Sequence, residues 1–209
     1  MFDRKLAPGI PVAGFVLAGG ASRRMGQDKA LLEIAGEPLF LRAANLLKPY
    51  VSAVVLLGAP DSYAWSGFLT IPDRCPGSGP LAALLMGLEY STQEWNIFLA
   101  CDLPLMRGEF IEMLIRRISH ASGFDAVAPL IQDKWQPLCA AYRQTCAPMI
   151  REALRIGKSG VIDVLPDLQL DVITSEHVAA LGLSNEIFEN VNTPEDWQKT
   201  LQRLQARSS

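Results

Sequence analysis

Arg23, Arg24 and Lys29 stand close together around Gly26, directly behind Ala18-Gly19-Gly20-Ala21-Ser22, a stretch without a bulky side chain. The apolar run Phe15-Val16-Leu17 precedes them. A buried strand opening into a small-residue loop lets backbone N–H groups face an anion with no Cβ in the way. The three cations supply charge for the same anion. Arginine grips through paired hydrogen bonds and lysine acts as a point charge. A phosphate-rich ligand follows. The spacing excludes two familiar phosphate loops, because neither GxxxxGK[ST] nor GxGxxG occurs here.

Asp102 is the acid that matches this loop. It follows Ile97-Phe98-Leu99-Ala100-Cys101, so the backbone carrying it is expected to be rigid and buried. A carboxylate held before a triphosphate suits Mg²⁺, which keeps most of its ligands as waters and phosphate oxygens. From position alone, a cap on the helix after Pro104 is the competing role. In phosphoryl and nucleotidyl transfer the protein mainly positions reactants and stabilises charge. Lys29 and Arg23 are therefore assigned to triphosphate oxygens and, with Asp102, to catalysis. Arg24 is the weaker candidate, since adjacent loop residues rarely face the same way. Asp28 is expected to pair with a neighbouring cation. Asp73 and the loop through Gly79, Pro80 and Leu81 suit a base or ribose pocket, with an ordinary turn into a helix as the alternative. His120 and His177 have no partner at metal or triad spacing.

Strands and helices must bring these residues together. Pro11 to Leu17 reads as a central parallel strand, nearly continuous in apolar residues. Ala30 to Ile34 reads as a short extended piece before the turn at Ala35–Pro38. Leu39, Ala43, Leu46 and Leu47 mark one helix face, ended by Pro49. Val51–Leu57 and Phe68–Ile71 read as strands joined by a polar connection over Gly58–Gly67. Leu81, Leu84, Leu85 and Leu88 mark a helix with Pro80 in its first turn. Asn96–Ala100 is the next strand, and Ile111, Leu114, Ile115 and Ile118 a further helix. Asp125–Leu130 and Leu138–Tyr142 read as strands of a hairpin. Residues 145–156 are helical by pattern, Ser159–Leu165 a short helix and Leu170–Ile173 a strand. Thr193-Pro194-Glu195-Asp196 starts a last helix through Trp197, Leu201 and Leu204.

Strands alternating with helices imply an α/β fold with a mostly parallel central sheet, helices on both faces and an added antiparallel hairpin. Ligands of such sheets bind beyond the carboxyl ends of the strands. The loop at 18–29, Asp73 and Asp102 all follow strands, so one rim should collect them. Residues 1–10 read as a loose arm and 11–206 as one domain, with 11–105 a nucleotide-binding half and 106–206 an acceptor-binding half.

The 209 residues carry 49% apolar content and a net charge of −3, which argues against a nucleic-acid binder. The N-terminus shows no signal peptide, and no apolar run approaches the ~18 residues of a membrane helix. Cys75, Cys101, Cys139 and Cys146 form no CxxC pair and read as reduced thiols of a cytoplasmic protein.

The run Leu17-Ala18-Gly19-Gly20-Ala21-Ser22-Arg23-Arg24-Met25-Gly26-Gln27-Asp28-Lys29 resembles the opening motif of nucleotidyltransferases, and most closely that of the molybdenum cofactor guanylyltransferase family. The likeness recurs at Ile71-Pro72-Asp73, Gly79-Pro80-Leu81-Ala82, Ala100-Cys101-Asp102-Leu103-Pro104 and Asn190–Asp196. The resemblance implies a Rossmann-like nucleotidyltransferase fold. It implies GTP contacts from Leu17, Ala18, Gly19, Gly20, Lys29 and Asp73, with Asp102 on both GTP and Mg²⁺ (or Mn²⁺). Asn190 and Asn192 would lie near the acceptor's phosphate. The implied reaction joins GMP from GTP to the terminal phosphate of molybdenum-loaded molybdopterin and releases pyrophosphate. Transient contact with molybdopterin-loading or molybdoenzyme-maturation proteins is implied too, with no nucleic-acid or membrane partner. The chain departs from many relatives at Leu56-Leu57-Gly58, where an asparagine often ends the second strand, at Ala83 (often glycine) and at Gln136-Pro137-Leu138, where histidine or threonine occurs in some.

Three other readings stay open at this point. The family's cytidylyltransferase branch resembles LAAG where this chain has Leu17-Ala18-Gly19-Gly20, which favours GTP. A sugar-phosphate nucleotidyltransferase is usually longer. A non-catalytic cofactor-binding protein has no use for Lys29 and Asp102 together.

Overall fold

The computed structural model describes residues 11–19, 28–58, 61–73 and 77–208. Gly20, Arg23 and Arg24 lie outside the described residues, and so does Cys75.

In chain order the regular elements are β1 (Val12–Leu17), β2 (Glu33–Ile34), β3 (Glu37–Pro38), α1 (Leu39–Leu47), β4 (Ala53–Leu57), β5 (Leu69–Ile71) and α2 (Pro80–Tyr90). They continue with β6 (Trp95–Ala100), α3 (Gly108–Ser119), β7 (Ala126–Ile131), β8 (Lys134–Trp135), β9 (Cys139–Arg143), α4 (Ala147–Arg155), β10 (Leu170–Thr174), α5 (Ser175–Ala179) and α6 (Pro194–Ser208). The eight-stranded sheet runs β10-β7-β9-β6-β1-β4-β5, with β8 paired to β7, and β2–β3 form a separate small hairpin.

β1 is the centre, parallel to β4 on one side and β6 on the other. Its side chains alternate between two cores, as a strand's period of two requires. Val12 and Val16 join α1 and α3 on one face, through Phe40, Leu47, Phe110 and Leu114. Phe15 and Leu17 join α2 and α4 on the other, through Leu81, Leu84 and Ile150. Helices therefore cover both faces, which is why β1 and β6 read as continuous apolar runs. A third, smaller core packs α6 residues Trp197 and Leu201 and buried Val191 against Leu32, Ile34 and Leu39.

The antiparallel part lies inside the sheet. β9 pairs antiparallel with β6 and with β7, while β7 and β10 are parallel. Gln132 and Asp133 turn β7 into β8 with φ of 49° and 61°, the left-handed pair of a tight hairpin. Within this hairpin Leu130 faces Trp135 and Ala126 faces Tyr142. The returning strand thus takes up three extra residues between β8 and β9, around Gln136–Leu138.

Two expectations are corrected. Lys29–Leu31 is a 3-10 turn, so Ala30 and Leu31 are not extended; Asp28 caps it by accepting the Ala30 N–H. The connection after β4 is not merely polar. Asp61–Ser66 forms a 3-10 segment that buries Tyr63 against the Phe40 ring, with centroids 4.5 Å apart.

Candidate active site

The carboxyl ends of β1, β4, β6 and β7 share one rim. A cleft of about 740 Å³ opens there, and its walls include Leu17, Gly19, Lys29, Asp73, Gly79, Pro80, Asp102 and Asn190. Residues singled out from four separate stretches of sequence therefore meet. Ala18 and Leu81 do not line the cleft. Ala18 is buried with its N–H given to Leu57 O, and the Leu81 N–H goes to Ser159 O.

Glycine shapes the wall at the ends of β1 and β4. A Cβ on Gly19 would come within 2.6 Å of Gly58 O, so these two backbones touch. Gly58 itself has φ of +70°, and a Cβ there would meet Gly19 Cα at 3.1 Å. The N–H of Gly58 is fixed to Ile71 O. A side chain at Gly58 would be strained and crowded against Gly19, which accounts physically for the glycine.

Lys29 and Asp102 are the charged centre. Lys29 Nζ lies 2.5 Å from Asp102 Oδ2 and 3.2 Å from Asn192 Oδ1. Asp102 is nearly buried, and its Oδ1 has no hydrogen-bond partner among the described residues. The backbone around this pair is pinned from the far end of the chain. Val191 N–H donates to Asp102 O at 2.9 Å. Asp196 Oδ2 accepts from the N–H groups of Asn192 and Thr193, and Thr193 Oγ1 accepts from Asp196 N–H. This reciprocal cap is the helix start legible at Thr193–Asp196. Accepting the Asn192 N–H is also the main reason that the Asp196 carboxyl is held below its ordinary range.

Lys29 is held from beneath as well. Asp28 accepts from Ala30 N–H through one oxygen and from the Tyr63 hydroxyl through the other. Burial, then the Asp28 hydrogen bond, raises the Tyr63 pKa, so the phenol stays a donor. The partners of Asp28 among the described residues are this N–H and this hydroxyl, and the neighbouring cations Arg23 and Arg24 lie outside them. Nothing in the sequence marks Tyr63, because the polar residues around it carry no period that signals burial.

Cys101 lies beside Asp102 in the cleft wall, and burial followed by the Asp102 carboxylate pushes its thiol up to about 12. It is a neutral side chain at ordinary pH and no nucleophile. Cys139 and Cys146 are likewise buried free thiols. Among the described residues no group of three or more His, Cys, Asp or Glu side chains forms a metal site. A metal at this rim would rest on Asp102 together with oxygens from a ligand. No helix among the described residues is long and apolar enough to cross a membrane.

What this arrangement can do is bind a phosphate chain on close backbone and a lysine, beside one carboxylate. The MobA-like NTP transferase domain matches residues 14–171. The chain belongs to this family. A probable molybdenum cofactor guanylyltransferase of Pelotomaculum thermopropionicum is 34% identical over 201 residues, 96% of each chain. The molybdenum cofactor guanylyltransferase of Serratia proteamaculans is 32% identical over 196 residues, 90% of this chain and 94% of its own. In fold, the chain is similar to the molybdopterin-guanine dinucleotide biosynthesis protein A of Archaeoglobus fulgidus. The TM-score is 0.80 at 24% identity, covering 93% of this chain and 99% of the other.

Proposed function

We propose that this chain transfers GMP from GTP to the terminal phosphate of the molybdenum-molybdopterin cofactor, releasing pyrophosphate and forming the guanine dinucleotide. The observation that carries the reading is the meeting of Lys29, Asp102 and Asn192 on the rim beside the Gly19–Gly58 contact. The names of the relatives support the substrates. The reading brings a cytoplasmic location with it.

In this reading residues 11–105 hold the nucleotide and 106–206 the acceptor. Gly19 and Gly79 let the nucleotide approach backbone, and Asp73 lies at its ribose or base end. Lys29 neutralises the triphosphate oxygens, with Arg23 as a second cation. Asn190 and Asn192 orient the attacking phosphate through their amides. That phosphate is already anionic, so no general base is needed. It attacks the α-phosphorus of GTP, the bond from that phosphorus to the β-phosphate's bridging oxygen breaks, and pyrophosphate leaves.

Asp102 fits Mg²⁺, or Mn²⁺ in its place, because a hard oxygen ligand with one unpartnered atom suits an ion that takes the rest of its shell from waters and phosphates. Such an ion supplies charge neutralisation across the phosphates. Lys29 would hold Asp102 in position for it, since the two are 2.5 Å apart.

A single-turnover assay tests the reading. Protein is mixed with Mg²⁺, molybdenum-loaded molybdopterin and either GTP or CTP, and pyrophosphate is followed. Release with GTP alone is expected. Release with CTP alone would move the chain to the cytidylyl branch, and release with neither would remove the pterin acceptor.

A further inference from the structure

Gln136–Leu138, between β8 and β9 where the register against β7 shifts by three residues, line the cleft together with Trp135. Bulges of this kind gather beside active sites, where they aim side chains. We propose that this segment is the platform for the acceptor's pterin ring, with Trp135 stacking on the ring and the Gln136 amide reading its edge. The assignment rests on the function proposed above and names the part of the cleft that recognises the acceptor.

Position argues for acceptor over guanine. β7 already pairs with β10 on one edge through Leu130, so Trp135, opposite Leu130, lies on the β9 side. The glycine wall belongs to β1, β4 and β5, on the far side of β6. From β1 to the line of β8 and β9 is two strand spacings, about 10 Å. Asp102, at the end of β6, stands between the two walls. A ligand on Trp135 therefore approaches the transfer centre from the side opposite the nucleotide.

The platform is built before any ligand arrives. Gln136 N–H donates to Pro129 O at 2.9 Å, and Gln136 O accepts from Cys139 N–H at 3.0 Å. Pro137 O accepts the Tyr142 hydroxyl at 2.8 Å, and Leu138 O accepts Ala100 N–H at 2.7 Å. Tyr142 is fully buried, so this anchor is rigid. Trp135 packs partly on the core beneath and partly faces the cleft. The cleft lining also includes apolar Val161 and the 54% exposed Ile162. The Gln136 side-chain amide makes no hydrogen bond among the described residues. It offers a donor and an acceptor at once. A flat ring with alternating donors and acceptors on its edge is what such a pair of groups can hold.

The test measures GTP affinity by equilibrium binding and acceptor KM and kcat by turnover on molybdenum-loaded molybdopterin. Trp135→Ala is expected to raise acceptor KM roughly tenfold or more, the scale of lost stacking on an aromatic side chain. Its GTP affinity should match the wild type, which also reports that the variant folds. Trp135→Phe should recover most of the loss, and Gln136→Ala should raise acceptor KM with little change in kcat. An unchanged acceptor KM in Trp135→Ala would overturn the assignment. Weakened GTP binding in both Trp135 variants would overturn it too, by giving the ring to the base. A wild type that turns over no molybdopterin would defeat the function itself, and the platform with it.

Discussion

The two walls of the cleft are made differently. The wall of β1, β4 and β5 offers main chain: Gly19 against Gly58, and Gly79 turning into α2 with φ of +81°. The wall of β8 and β9 offers side chains, Trp135 and Gln136, on a main chain whose Gln136, Pro137 and Leu138 carbonyls all accept hydrogen bonds. Phosphates are small, charged and identical in every nucleotide, so close N–H groups and cations suffice for them. A fused ring must be told from other rings by its face and edge. Under the proposed function, removing bulk serves the nucleotide and adding it serves the acceptor. Asp102 and Lys29 sit where the two walls meet.

The largest effect should come from that meeting point. Asp102→Asn keeps the shape but loses the charge that holds Lys29 and would hold a metal. Turnover is expected to fall by about 100-fold or more, with GTP binding largely retained in equilibrium titration. A variant that loses GTP binding and turnover in proportion would show that Asp102 belongs to the nucleotide wall alone.

Gly58→Ala sharpens the comparison from the nucleotide side. It adds a Cβ at φ of +70°, 3.1 Å from Gly19 Cα. A cost of about 1–3 kcal/mol in urea unfolding is expected, with GTP affinity falling and acceptor KM unmoved once GTP is saturating. Tyr63→Phe should be milder. It removes one hydrogen bond to Asp28 and leaves the ring stacked on Phe40, so about 1 kcal/mol is lost. The Lys29 turn loosens, and kcat is expected to drop several-fold at unchanged acceptor KM.

The smallest effect is on acid stability. The Asp196 carboxyl is held below its ordinary value of 3.8, first by the Asn192 N–H. A depressed carboxylate stabilises the fold fully above its unfolded pKa, and the contribution is lost as pH falls through the lower folded value. Asp196→Asn should therefore cost stability at neutral pH and flatten the decline below pH ~4, as seen in unfolding curves against pH. The group is only partly buried, so about a few tenths of a kcal/mol is expected.

Much of the fold and the rim is legible in the sequence for a physical reason. β1 and β6 are covered on both faces, so Phe15-Val16-Leu17 and Ile97-Phe98-Leu99 appear as unbroken apolar runs. α1, α2 and α3 are half-covered and show the helical period. Because strand ends carry the site, Lys29, Asp73 and Asp102 fall on one rim from their places behind apolar runs alone. Over residues 157–190 the short helix and the strand at Leu170 are legible, but the elements after Thr174 are not. Val161, Val164 and Leu165 are buried in a 3-10 segment, and α5 has only five residues, too few for a period to show. Asn192 is reached through resemblance, since nothing local ties it to a lysine 163 positions away. Trp135 and Gln136 look like ordinary hairpin residues in the sequence. Three residues of mismatch between paired strands cannot be read from either strand alone.

The place of β9 also governs how the chain must assemble. Trp95, Ile97, Phe98 and Leu99 are fully or almost fully buried, yet β6 has β1 on one edge and β9 on the other. While the ribosome has released only residues up to about Asp102, β6 offers an open hydrogen-bonding edge, the kind of surface on which chains aggregate. That edge closes when residues 139–143 slide in, and the same event joins the β7–β10 pair to the rest of the sheet. The β8–β9 wall of the cleft is thus completed by the event that closes the β6 edge, and a chain cut before residue 139 would be left with a sticky seam there.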